Sequence, residues 1–301
     1  MVVYTIISLV ALWVLGNTLS DQTAFSQWLE WIPTLLIIAG LVLSTITLGY
    51  LRSKISAVIS LLLLVSICVW YAIGENKLFH SCETVGQLRF VGWTMSHPKY
   101  KIAAESAQEI IRLDADITLL THGWYVRGEE SIQNWLGSGG KKIINGPFTL
   151  LTKLKPIEVT TLVASGGIHI SSFTLDASEQ LGRPLVLWAI DFPSEFSKQR
   201  YRTSMIAKHL LLELDTPLPD LVAGDFNMTR DSASIKHLFP EMHDAGNEGG
   251  CGLIASYPRI LPLYHIDHVL LNNSLRADTY KLIDPHVGRH RVQVCEISNV
   301  Q

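Results

Sequence analysis

The chain has 301 residues, 48% of them hydrophobic, with 24 Lys+Arg against 27 Asp+Glu for a net charge of −3. That balance speaks against a nucleic-acid partner, because binders of the phosphate backbone present a basic face. The length fits one large domain or one domain plus membrane segments, and the uneven placement of the apolar residues favours the second.

Three stretches near the start, residues 1–19, 33–50 and 55–73, carry no charged side chain. Each is close to the roughly 20 residues that cross a bilayer core. Residues 1–19 lack the basic start and the small-residue cleavage site of a secretory signal. The other two segments have no polar face, as a core helix of a soluble protein would. The sequence therefore predicts a three-helix transmembrane anchor over 1–73, a connector over 74–87 and a domain over 88–301. Orientation follows from the short loops. Arg52 and Lys54 flank Ser53 between the second and third segments, whereas the first loop carries Asp21 and Glu30 with Trp28 and Trp31. The positive-inside bias puts Arg52 and Lys54 in the cytoplasm. The domain is then expected on the extracytoplasmic side of an inner or plasma membrane, which is periplasmic in a Gram-negative cell. Removing these four charges leaves the domain's net charge unchanged at −3.

Cys68 falls in a membrane segment, and Cys82, Cys251 and Cys295 do not. No C-x-x-C pair is present, which speaks against a zinc knuckle or a redox motif. One bridge among the last three is open in an oxidising compartment, without the sequence choosing the pair.

Beyond the anchor, strand-like runs occupy 88–93, 117–121, 147–152, 167–173, 185–190, 221–223, 266–271 and 292–297. Residues 100–113 and 198–214 carry apolar positions at helical spacing. Strands interleaved with two principal helices predict a layered α/β domain. The basic cluster Lys198–Arg202 opens the second helix and reads as a solvated face.

Several of these runs resemble the endonuclease/exonuclease/phosphatase family, the DNase I-like superfamily. The resemblance rests on EIIRLDADITLL at 109–120, GPFTLLTKLKPI at 146–157, VAGDFN at 222–227 and IDHV at 266–269. It closes on Gly288-Arg289-His290 before the last strand, where the family carries Ser-Asp-His. It implies a two-sheet DNase I-like sandwich flanked by helices, here preceded by the three transmembrane helices. The site would lie at strand ends along one edge, and the chemistry would be phosphoester hydrolysis assisted by a hard divalent ion, usually magnesium.

Four family positions are matched: Asp225 and Asn227 in the Gly-Asp-Phe-Asn motif, Asp267 in Ile-Asp-His, and the final His290. Four others are replaced. Thr94 stands for an asparagine, His122 for the glutamate that is the principal metal ligand, Asp191 for a phosphate-binding histidine, and Arg289 for the aspartate beside the last histidine. Magnesium prefers oxygen ligands, so His122 removes its best anchor. Arg289 is expected to pair with Asp191, Asp225 or Asp267 and so neutralise the site. On this reading the site holds no metal and no other cofactor, and the protein is a non-catalytic binding or assembly subunit of a membrane complex. The alternative is a metal-dependent phosphoesterase acting on phosphodiesters or phospholipid head groups. Its divalent ion (magnesium, manganese or zinc) would be held by His122, Asp225 and Asp267, within a mixed set that also includes Asp191 and His290. The pairs His265/His268 and His286/His290 are also tempting as ligands, but at strand spacing His265 and His268 face opposite sides and so read as mostly structural.

Overall fold

A computed structural model describes residues 2–95 and 100–300. Met1 of the first expected span and Gln301 of the expected domain lie outside the described residues. The N-terminal helices are α1 (Val2–Leu19), α2 (Ala24–Glu30), α3 (Thr34–Tyr50) and α4 (Lys54–Val69), the last continuing through a wider turn over 70–75. Two stretches, Tyr4–Gln22 and Lys54–Glu75, are long and apolar enough to cross a membrane. The middle expected segment differs. α3 alone is shorter, and it joins α2 across a 63° bend, so a third span exists only if the bent pair counts as one. Pro33, whose ring cannot continue a helix, starts α3 at that bend. Trp13, Ile37, Leu41 and Ile67 pack between the helices. Leu43, Ile46, Ile55 and Leu62 face outward and exposed, as lipid-facing positions would.

The remainder is built from two six-stranded sheets. The first runs in the order β11-β12-β1-β2-β4-β3, with β1 (Leu88–Thr94), β2 (Ile117–Thr121), β3 (Lys141–Asn145), β4 (Phe148–Thr152), β11 (Leu275–Ile283) and β12 (Val292–Asn299). The second runs β5-β6-β7-β8-β10-β9, with β5 (Lys155–Ser165), β6 (Ile168–Asp176), β7 (Leu185–Asp191), β8 (Leu221–Asp225), β9 (Met242–Asp244) and β10 (Asp267–Asn272). The helices of this part are α5 (Ala103–Leu113), α6 (Glu130–Leu136), α7 (Ser178–Leu181), α8 (Arg200–Leu212), α9 (Ala233–Leu238) and α10 (Ala245–Glu248). Phe90, Leu119, Leu150, Phe173, Leu187, Ala223 and Val269 meet between the sheets in the main core. Helices cover both outer faces: α5 and α6 pack on the first sheet, α8 and α9 on the second.

All eight expected strands are present, and four more appear that the apolar runs did not show. β3 and β5 lie at sheet edges, where exposed positions such as Lys141, Lys142 and Glu158 break the apolar pattern. Cys82 and Cys251 form a disulfide with Cα atoms 5.6 Å apart, tying the connector to the loop after α10. Cys68 and Cys295 are free.

The N-terminal helices are docked on the domain rather than tethered to it. The Ser20 hydroxyl and the Asp21 carboxylate accept the Ala233 and Ser234 amides at 2.9 and 3.0 Å, capping α9. The Gln27 amide accepts Arg200 N–H at 2.8 Å and donates to the Phe196 and Lys198 carbonyls. Trp31 packs edge-on to Phe196 with ring centres 4.6 Å apart.

Candidate active site

Register places the acids. β8 runs parallel to β7 and antiparallel to β10, so that Asp225 stands directly beside Asp191 on one side and Asp267 on the other. Three carboxylates thus share one end of the second sheet. Gly224 makes the close strand approach possible. Its φ is +139°, and a Cβ there would lie 2.0 Å from the Ile190 carbonyl oxygen. Asn227 and His122 follow their strands in left-handed backbone conformation, φ +50° and +59°, which turns both back toward the cleft.

The buried side chains then form short chains of contacts. His290 Nδ1 meets Asp267 Oδ2 at 2.8 Å, and the Thr94 hydroxyl, reaching across from the other sheet, donates to Asp267 Oδ1. The Asn227 amide N–H donates to Asp225 Oδ1 at 3.1 Å, while its side-chain NH₂ is held by the Phe192 carbonyl at 2.9 Å. His122 Nε2 lies 3.1 Å from Asp191 Oδ2. The cleft these groups line holds about 650 Å³, with Trp31 and Phe196 at one wall and Lys198, His169 and Tyr257 also facing it.

Burial and the Asp267 and Asp191 charges push the Asp225 carboxyl well above the usual carboxylate range, against the opposing pull of His290 and the Asn227 amide. Burial also opposes charge on Asp267, but the His290 charge and hydrogen bond, with Ser256 and Thr94 helping, hold it below that range. For His290 burial disfavours the cation, and Asp267 outweighs it, so the ring sits above the ordinary histidine range. The cleft therefore sets a histidine–carboxylate pair, each holding the other's charge, beside a carboxyl whose ionisation its neighbours oppose.

The structure brings six of the eight expected positions to the lining of this cleft, with Asp267 buried behind His290 and Thr94 behind Asp267, but it corrects three expectations. Arg289 pairs with none of the three aspartates. It is exposed, donates to the Tyr257 hydroxyl at 3.0 Å and lies over that ring at 5.7 Å. The Tyr257 ring in turn packs against His290, 4.8 Å between centres, and so stands between the guanidinium and the acids. The Lys198–Arg202 cluster is not simply a solvated face. Lys198 lines the cleft, and Arg200 is buried with its guanidinium on the Pro193 and Ser194 carbonyls at 2.5 and 3.1 Å. His265 and His268 do not face opposite sides. His265 precedes β10, so strand alternation does not govern it, and the two rings lie 4.5 Å apart. His286, by contrast, is exposed and takes no part in the cleft.

The expected metal set also changes. Asp225, Asp267 and His290 bring ligand atoms within 4.8 Å of one another, whereas His122 is directed to Asp191. Trp31, Lys198 and Tyr257 were not expected in the cleft. They reach the cleft from the anchor, a helix approach and a loop, none of which carries a strand motif.

Two mixed sheets, helices outside, and acids at adjacent strand ends agree with the fold that the resemblance implied. No protein-family model matches the sequence, and no curated protein matches it. Solved structures do. An endonuclease/exonuclease/phosphatase from Bacteroides vulgatus aligns with a TM-score of 0.54 at 12% identity, over 71% of this chain and 99% of that one. A Bacteroides thetaiotaomicron mannosyl-6-phosphatase aligns at 0.52 and 13% identity, over 70% and 99%. A truncated Caenorhabditis elegans TDP2 aligns at 0.53 and 12% identity, over 69% and 96%. The domain has the endonuclease/exonuclease/phosphatase fold, joined here to N-terminal helices apolar enough to span a membrane.

Proposed function

We propose that this protein is a membrane-anchored phosphoesterase whose domain lies on the extracytoplasmic side. The observation that carries the reading is the convergence of Asp191, Asp225 and Asp267 on one cleft in which, among the described residues, no lysine or arginine pairs with any of them. Had Arg289 filled that role, the site would be self-neutralised. Turned onto Tyr257, it leaves an acidic pocket that favours a cation.

The donor set does not fit magnesium, which asks for oxygen ligands in octahedral array. Carboxylates mixed with imidazole fit manganese or zinc better, and Asp225, Asp267 and His290 would hold such an ion. Bound there, the ion would neutralise charge on a phosphoryl oxygen and activate water. The chain's own groups have separate tasks. Asp267 orients the His290 ring through the 2.8 Å contact, and a bound ion would take the place of the ring's second proton. Asp225 would give up its proton for the ion, and the neighbouring acids that raise its carboxyl also favour a cation there. Lys198 and Arg289 at the rim attract the anion. The anchor favours a substrate held at the membrane surface, such as a phospholipid head group. The near-neutral charge balance does not favour nucleic acid. Two features support the extracytoplasmic side: Arg52 and Lys54 in the short loop, and the Cys82–Cys251 bridge, which suits an oxidising compartment.

One observation favours a second reading, a non-catalytic binding or assembly subunit of a membrane complex. His122 stands where the resembled family carries its metal-binding glutamate, and it is closed onto Asp191. Turnover of a phosphodiester and a phosphomonoester by the full chain in detergent, with magnesium, manganese or zinc, separates the two. The phosphoesterase reading expects turnover with manganese or zinc that Asp225→Ala abolishes. No turnover above background with any of the ions would leave the binding module standing.

A further inference from the structure

A second cluster of metal-ligating side chains lies away from the cleft, in the core behind β10. Asp244 ends β9, His265 precedes β10 and His268 sits within it. All three are buried, and a ligand atom from each lies within 4.8 Å of the other two.

The hydrogen bonds around the cluster fix which ring nitrogens are already committed. His265 Nε2 meets the Tyr280 hydroxyl at 3.1 Å, and that hydroxyl donates onward to Gln293 Oε1 at 2.9 Å. With its own hydrogen committed, the Tyr280 oxygen must accept, so His265 carries its proton on Nε2. Its Nδ1 is left as a bare lone pair, buried and without a partner. His268 Nε2 faces the Met228 carbonyl at 2.9 Å and must donate to it, while Nδ1 lies 3.0 Å from Asp244 Oδ2. The other Asp244 oxygen accepts the Gly246 and Asn247 amides at 2.8 and 3.2 Å, which fixes the carboxylate. Each of the three is therefore oriented from behind by a carbonyl, a hydroxyl or backbone amides, the outer support that metal-binding histidines and carboxylates use.

We propose that Asp244, His265 and His268 form a binding site for a zinc-class divalent ion, distinct from the cleft. Neighbouring ligands on a tetrahedral zinc stand about 3.3 Å apart, close to the observed Asp244–His268 separation. Binding replaces the proton that Nδ1 of His268 otherwise needs in order to face a carboxylate, and releases it to solvent. One carboxylate with two imidazoles selects zinc or a similar first-row ion over magnesium or calcium. The Arg230 guanidinium nearby, tied to the Glu75 carbonyl at 2.5 Å, opposes any divalent ion to the same degree, so the choice among ions rests on the ligand atoms. His265 also lines a cavity of about 560 Å³ where the anchor meets the domain, which offers a route in and room for a water as fourth ligand. The ion would staple β9 and α10 to the start of β10, beneath the anchor seam.

The test uses the full chain in detergent, stripped with a chelator and titrated with cobalt(II), whose visible bands report tetrahedral coordination, and then with zinc. The expected result is one equivalent of tetrahedral cobalt, displaced by zinc, that persists in Asp225→Asn and disappears in His265→Phe. Persistence in Asp225→Asn separates this site from the cleft, so either one can fail alone. Tyr280→Phe, which keeps the ring but loses the hydroxyl behind His265, should weaken binding about 10- to 100-fold, and it decides the matter if His265→Phe does not fold. Absence of the band in wild-type and Asp225→Asn protein, or cobalt binding unchanged in Tyr280→Phe, would overturn the site.

Discussion

Two adjacent residues of β10 serve two different clusters. Asp267 points to the cleft, where it meets His290 beside Asp225, and His268 points to the opposite face, where it meets Asp244. Strand alternation alone separates them. Both clusters are built from buried aspartate and histidine, yet their surroundings differ. In the cleft, acids crowd one another at the open end of three strands, and burial with the neighbouring charges raises the Asp225 carboxyl well above its ordinary range. In the core, one acid meets two imidazoles whose far sides face Met228 and Tyr280, and Asp244 also caps α10. Residue type does not distinguish a reactive group from a scaffolding one here. Excess like charge at an accessible edge does.

That contrast is open to attack by mutation. The largest effect is expected for Asp244→Ala, which strands a buried histidine contact and removes the α10 cap, and should cost about 3–5 kcal/mol in urea unfolding. Asp225→Asn should instead raise the melting temperature at neutral pH, since it relieves repulsion from Asp191 and Asp267 while keeping an acceptor for the Asn227 amide. A loss as large as that of Asp244→Ala would erase the distinction. Reducing the Cys82–Cys251 bridge should cost about 2–4 kcal/mol, since it frees the loop that follows α10.

The pH dependence should run in opposite directions for the two clusters. Burial and the neighbouring His268 charge push His265 down to about 3, so the unfolded chain takes up a proton before the folded one does, and stability falls as pH drops from about 6.5. Asp244 acts in the same sense. Burial opposes its charge, but His268 and His265 hold it well below the carboxylate range, and its contribution is lost on acidification. The raised carboxyl of Asp225 does the reverse, costing stability as pH rises above the ordinary aspartate value of about 3.9. Melting curves against pH should therefore flatten on the alkaline side in Asp225→Asn and on the acid side in His265→Phe. The smallest effect belongs to Arg289→Ala, exposed at the rim, which should change stability by no more than about 0.5 kcal/mol.

Much of this was legible in the sequence, and the reason is physical. Gly-Asp-Phe-Asn and Ile-Asp-His end buried apolar runs, and the resemblance to a family whose strand ends meet at one edge implied that Asp225, Asp267 and His290 lie together. Thr94, His122 and Asp191 followed from the same logic. Arg289 did not, because its direction depends on Tyr257 in a separate loop, and no local pattern encodes that contact. His265 was misread because alternation was extended one step beyond the strand. Edge strands such as β5, with Pro156 and Glu158 among exposed positions, lack the apolar signal that marked their buried neighbours. The seam between anchor and domain was illegible for a related reason. Asp21 and Gln27 look like ordinary loop polar residues until α9 and α8 are seen to need caps.

The central claim is that the cleft is an acidic site that accepts a cation. Crystals of the full chain grown with manganese, with diffraction recorded to use its anomalous scattering, would test it most directly. The account predicts a peak between Asp225, Asp267 and His290, with Arg289 still on Tyr257. A cleft without that peak, in which Arg289 or Lys198 has swung in to pair with Asp225, would contradict it.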